Sequence, residues 1–174
     1  TLTASPRVRA ARTRAQTPAL LKGLIYGPDG AAFSPSHTRK GGRLYRYYVS
    51  QTVLKQGAGS CSVGRVPAGD IEAAVIDQLR MVFRQPEIIA GTWKAARDQD
   101  PAQHIRISEA DVRMALGQLD PLWDELFPAE QARLAALLVE RVDIAPDGLK
   151  LRLRIDGLSG LAREMLSADV ECAA

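Results

Sequence analysis

The sequence predicts an α+β fold in which a short hairpin-forming segment, a helical segment and a C-terminal β-hairpin follow one another along the chain. Three observations predict it. Between residues 18 and 66, short apolar runs alternate with glycine-bearing turns; between 67 and 140, apolar residues recur at helical spacing behind prolines; from 141 onward the apolar pattern changes to period two. At 174 residues and 46% apolar content, the chain is long enough to bury one core, or two small ones, without disulfides.

Residues 1–17 carry Arg7, Arg9, Arg12 and Arg14 among small residues, with Pro6 and no apolar periodicity, and read as a basic linker. A chain that opens on arginines without an initiator Met is expected to be a piece of a larger protein. In the 18–66 segment, the runs LLKGLIY and RLYRYYVSQTVL are separated by the turn GPDG and the polar stretch HTRKGG, expected as a flexible finger or edge. The second run is read as one strand, with Tyr45, Tyr47, Val49, Gln51 and Val53 on its more apolar, buried face. Leu44, Arg46, Tyr48, Ser50 and Thr52 are placed on the other.

In the 67–140 segment, Pro67 suits the first turn of a helix, and Asp70 and Glu72 suit its positive end. Ile71, Ala74, Val75, Leu79, Val82 and Phe83 form the apolar stripe of that helix, which ends before Pro86. A second helix carries Ile88, Ile89, Trp93 and Ala96. Ser108 and Asp111 form a capping box ahead of a stripe from Val112 to Phe127, which Pro121 is expected to kink or interrupt. Pro128 opens another helix that turns Leu134, Leu137 and Leu138 inward. In 141–174, Val142 and Ile144, a turn at Pro146-Asp147-Gly148, and Leu149, Leu151, Leu153 and Ile155 alternating with Lys150, Arg152 and Arg154 read as a hairpin with one basic face, followed by a tail.

The formal net charge of +3 conceals a segregation. Residues 1–66 hold eleven Lys or Arg against the single acid Asp29, whereas residues 67–174 hold twelve against nineteen acids. So basic a segment is a footprint for a polyanion, because cations near phosphates release condensed counterions. In RKGGRLYRYY, Arg39, Lys40, Arg43 and Arg46 interleave with Tyr45, Tyr47 and Tyr48, combining forked donors with rigid rings. The two histidines, His37 and His104, fit no metal or nucleophile spacing, and the glycine pairs match no phosphate loop. A catalytic site within this chain is therefore disfavoured. Cys61 and Cys172 are expected as free thiols, and no run approaches the roughly 20 apolar residues of a membrane span. The chain reads as a soluble intracellular protein.

PALLKGLIY, PSHTRKGGRLYRYYVSQ, RVPAGDIEAAVIDQL and LLVERVDIAPDGLKLRLR, in that order, resemble the C-terminal region of large serine recombinases of the resolvase and invertase superfamily, over roughly residues 18–161. The resemblance implies a zinc ribbon at 18–66 and a helical part that assists synapsis, with the nucleophilic serine in a catalytic domain outside this chain. It also implies double-stranded DNA and other recombinase subunits as partners, in a dimer or tetramer on DNA, and a bacterial cytoplasmic, nucleoid-associated setting. The sequence departs from the family at the metal. Gly27-Pro28-Asp29-Gly30 stands where the family commonly has C-x-x-C, and Val49 where a cysteine often follows the paired tyrosines. Four ligands close a structural zinc site, so no cofactor is expected, and the fold becomes a small zinc-less β-ribbon-like domain packed with a helical segment and a C-terminal β-hairpin. That ribbon is expected to pack through Leu24, Tyr26, Tyr45, Tyr47 and Val49.

The expected function is the DNA-binding and assembly region of a site-specific serine recombinase supporting strand exchange at attachment sites. The expected DNA contacts are Arg12, Arg14, Lys22, Arg39, Lys40, Arg43, Arg46 and Tyr48. Two rivals fit the same charge pattern: a non-enzymatic DNA-binding regulator, and a protein-interaction module with an acidic partner.

Overall fold

The computed structural model describes residues 19–99 and 107–172. Strand β1 (Ile25–Tyr26) pairs in parallel with β5 (Val139–Ala145), which pairs antiparallel with β6 (Gly148–Leu153), in the order β1-β5-β6. Ile25 faces Val142 across the first ladder, and both are wholly buried. The segment ahead of the ribbon hairpin is thus built into the same sheet as the C-terminal hairpin, a long-range pairing with no local sequence signal. The expected turn at residues 146–148 is present, with Ala145 opposite Gly148.

A second sheet has the order β2-β3-β4, from β2 (Phe33–Lys40), β3 (Arg43–Ser50) and β4 (Arg65–Pro67). The stretch expected as a flexible finger or edge is the tip of a regular two-residue hairpin whose β2 is an edge strand. Gly41 and Gly42 lie at φ 56° and 77°, and positive φ at both central residues is what a turn matched to strand twist requires.

Two expectations for this run are corrected. The strand stops at Ser50, whose side chain accepts a hydrogen bond from the Thr52 backbone N–H at 3.1 Å and caps the short helix α1 (Gln51–Gln56). The buried face is also the opposite one. Tyr48 and Ser50 are 0% exposed while Tyr45 is 41% exposed. Counting apolar side chains misassigns the parity, because the inward residues are polar ones with buried partners. Leu24 is buried as expected, while Phe33, Tyr48 and Leu21 take the place of Tyr45, Tyr47 and Val49 in the packing of the ribbon.

Helix α2 (Ala68–Val82) places Ile71, Val75 and Leu79 in the core, whereas Ala74 faces solvent. Pro67 caps it at φ −61° and ψ 134°, one position outside the expected first turn. Helix α3 (Pro86–Asp98) is followed by α4 (Glu109–Glu125), and the Trp93 indole N–H donates to the Ile107 carbonyl at 2.9 Å, tying the start of α4 to α3. The Ser108–Asp111 capping box forms as expected.

Pro121 does not interrupt α4. It lies on the exposed side, where the carbonyl its ring leaves unbonded faces water. Helix α5 (Pro128–Leu138) buries Ala135 and Leu138, but Leu137 is exposed, as is Phe127 just ahead of it.

The C-terminal tail is a further correction. Ile155 leaves the strand and opens helix α6 (Ile155–Cys172), on which Leu158, Leu161, Ala162 and Met165 recur at helical spacing against the core. One cluster of buried residues runs from Leu20 through Leu158 and joins both sheets to the helices.

Gly157 fixes how closely α6 approaches α5, because a Cβ there would collide with the Leu137 carbonyl oxygen, whereas one at Gly160 would meet nothing within 4 Å. Gly157→Ala should destabilise the protein by about 1–3 kcal/mol through overpacking. Gly160→Ala should stabilise it by up to about 1 kcal/mol through helix propensity. Urea denaturation of the two variants checks the contrast.

Candidate nucleic-acid interface

The hairpin is anchored by one carboxylate. Glu72, 8% exposed on α2, accepts the Tyr48 hydroxyl proton on Oε1 at 2.8 Å and the Leu20 backbone N–H at 3.3 Å. Its Oε2 pairs with the Arg46 guanidinium at 3.0 Å. The Tyr48 oxygen in turn accepts the Leu21 N–H at 2.9 Å. Burial, with the neighbouring Glu72 carboxylate adding to it, holds the phenol well above its ordinary pKa, so it stays a neutral donor. These bonds tie the chain entering the domain, the hairpin and α2 into one unit.

Beyond this anchor the hairpin projects from the body. From Pro35 to Lys40 and from Arg43 to Tyr45 every residue is exposed. The five residues after Pro35 extend about 17 Å at about 3.3 Å per residue. A two-stranded ribbon of this kind fits the DNA major groove, roughly 12 Å wide and 8.5 Å deep.

Cross-strand partners share a face. The register therefore sets Arg39, His37 and Arg46 with Leu44 and Tyr48 on the core-facing side, and Lys40 and Arg43 with Tyr45 and Tyr47 on the other. The four cations expected to act together are in this way divided between two faces, converging only at the tip.

Pairing separates the cations further. Among the described residues, Lys22, Arg39, Lys40 and Arg43 have no ion-pair partner, while Arg80, Arg84, Arg113, Arg141 and Arg152 of the acidic portion are all paired with carboxylates. Lys22 lies exposed beside the hairpin base. Arg12 and Arg14 fall outside the described residues. Tyr48 is removed from the contact set, since its ring is 0% exposed and its hydroxyl is committed at both lone pair and proton. Arg46, one-third exposed, divides its role between the Glu72 anchor and the surface.

Sequence reading missed two groups, Tyr45 on the hairpin and Arg65 on the adjoining strand β4. Tyr45 is the tyrosine whose ring reaches solvent near the tip. Arg65 stacks over the Tyr47 ring, 3.4 Å from its centroid, and stiffens the outer face. The parity of the buried residues would have shown Tyr45 to be outward, but Arg65 becomes visible only through the β3–β4 pairing.

The residues at the implied metal position do not fit zinc. A Cβ at Gly27 would lie 2.9 Å from Asp29 Oδ1 and 3.0 Å from the Phe33 ring, so a side chain there would crowd both. Among the described residues, no group of three or more His, Cys, Asp or Glu is placed to hold a metal ion. The loop is instead joined to α1 by a hydrogen bond. Asp29 Oδ2 accepts the Thr52 hydroxyl at 2.6 Å, and Oδ1 accepts the Ala31 N–H at 3.1 Å. The Thr52 bond first, and the Ala31 bond second, hold the Asp29 carboxyl below its ordinary range.

A three-stranded ribbon with an extended basic hairpin, packed onto helices and a second sheet, makes this a small α+β module. The particular relationship follows from comparison with known families. Residues 20–80 match the family model of the recombinase zinc beta ribbon domain. That match agrees with the resemblance to the C-terminal region of a large serine recombinase.

A solved structure described as a crystal structure of an LSR–DNA complex is similar with a TM-score of 0.46 and 17% identity, over 82% of this chain and 53% of that one. The chain therefore spans about half the length of the solved chain it matches. No curated protein matches it. Among the described residues, no helix is long and apolar enough to cross a membrane.

Tyr48→Phe should cost about 1–3 kcal/mol, because the buried Leu21 N–H loses its acceptor and Glu72 a donor. Equilibrium unfolding measures it. Asp29 has a lowered folded pKa, so its contribution is complete above the ordinary Asp value of about 3.9 and is lost as pH falls through the folded value. Asp29→Asn should therefore lower the melting temperature at neutral pH and flatten its decline in acid. Chelation by EDTA should leave the melting temperature of the parent protein unchanged.

Proposed function

We propose that this chain is the DNA-binding and assembly region of a site-specific serine recombinase, supporting strand exchange at attachment sites while the nucleophilic serine lies outside it. One observation carries the reading: the hairpin extends Arg39, Lys40 and Arg43 clear of the body with no acid partner. In a protein that pairs most of its other described arginines, such a cluster is complementary to phosphate. The recombinase family match over residues 20–80 supports the same assignment. The hairpin enters a groove of the duplex, with Lys22 and the arginines of the linker, Arg12 and Arg14, contacting backbone.

Titration of duplex DNA across salt concentrations tests the binding role. Lys40→Ala should weaken binding to all sequences alike and reduce the salt slope by about one unit, as loss of a phosphate contact does. If Arg39 or Arg43 reads a base edge, its loss should cost roughly 1–3 kcal/mol on the attachment site alone. Unchanged binding by the triple variant Arg39→Ala, Lys40→Ala, Arg43→Ala would overturn the assignment.

A further inference from the structure

The core-facing side of the hairpin does not stand alone, because α5 rises opposite it and leaves a groove of about 760 Å³ between them. His37, Leu44 and Arg46 line one wall, Lys22 lies at the base, and Ala132 and Arg133 belong to the facing helix. No acidic residue lines this groove. The carboxylate of Glu72, which pairs with Arg46, is also held by Tyr48.

The helix wall is unusual for the acidic part of the chain. Ala129, Ala132, Arg133 and Ala136 share one face at helical spacing, so three small side chains allow close approach around one cation. The acid of the same helix, Glu130, is engaged elsewhere, accepting the Phe127 backbone N–H at 2.8 Å. Among the described residues, neither Lys22 nor Arg133 has an ion-pair partner. Arg39 continues the row of cations outward on the same hairpin face.

We infer that this groove is a track for one sugar-phosphate backbone of nucleic acid, and that Arg133 clamps the strand from the helical side. Charge complementarity commits the occupant. Lys22, Arg46 and Arg133, with His37, give the groove positive walls that suit a polyanion, and the alanines and Leu44 suit the apolar edge of the sugars. The DNA interface thus extends beyond the basic first third of the chain to a helix whose overall composition conceals it. This inference rests on the DNA-binding reading and adds a second wall to it.

The test compares three variants of the full chain in DNA titrations over a range of salt: Arg133→Ala, Ala136→Glu and Lys40→Ala. Arg113→Ala serves as the control, because that arginine is exposed, paired with Glu109 and outside the groove. Thermal melting of each variant establishes that it is folded. Arg133→Ala should weaken binding and reduce the salt slope by about one unit, Ala136→Glu should weaken it further by placing an acid on the track, and Arg113→Ala should leave it unaltered. If Lys40→Ala weakens binding while Arg133→Ala and Ala136→Glu do not, the groove is not a backbone track and the inference is overturned with the hairpin reading intact. The same result, with an acidic peptide bound by the parent and not by Arg133→Ala, would assign the groove to a protein partner instead. Unchanged binding by all three would overturn both.

Discussion

The arrangement of this protein depends on the buried carboxylate of Glu72. A carboxylate is costly to remove from water unless its oxygens are met by donors, and here three elements supply them. Leu20 brings the entering chain, Tyr48 and Arg46 bring the hairpin, and Glu72 itself brings α2. An isolated two-stranded hairpin is marginal in water. This network, with Phe33 and Tyr48 packed beneath it, gives the hairpin a rigid base from which its cation-bearing half can project. The Asp29–Thr52 bond joins the Gly27–Gly30 loop to α1 and adds to this base.

Rigidity and charge then combine. In the acidic portion, several of the described arginines are neutralised locally across helix or strand pairs, such as Arg80 and Arg84 with Asp120. At the hairpin tip Arg39, Lys40 and Arg43 have no such partner, and β2 is an edge strand whose Pro35, Arg39 and Lys40 also discourage pairing with another sheet edge. Edge protection by itself would be met by one or two charges anywhere along the strand. The concentration of cations at the tip, and along the face opposite Arg133, is what a phosphate-binding role adds.

Much of the fold was legible in the sequence. The α+β class, the Ser108 cap, the residue 146–148 turn and the stripe of α2 all follow from local rules, because each is determined by neighbours within a turn or two. What was not legible depends on distant partners. Tyr48 turns inward because Glu72 and Leu21 satisfy its hydroxyl, which no period count reveals. Parallel pairing of Ile25 with Val142 leaves no trace near either residue. Helix α6 was hidden by two glycines that lower its propensity, although Gly157 is required by the packing on Leu137. For the candidate site, the basic cluster was visible as composition. Its division into two faces and the part played by Arg133 required the register and the packing of α5.

The measurement that bears most directly on this account is a nuclear magnetic resonance titration of the protein with duplex DNA, following backbone amides. The account predicts that perturbations concentrate between residues 36 and 46, with a second set on α5 around Arg133, while α3 and the exposed side of α4 remain unperturbed. Perturbations confined to α3, α4 or α6, with the hairpin tip unmoved at saturating DNA, would contradict it.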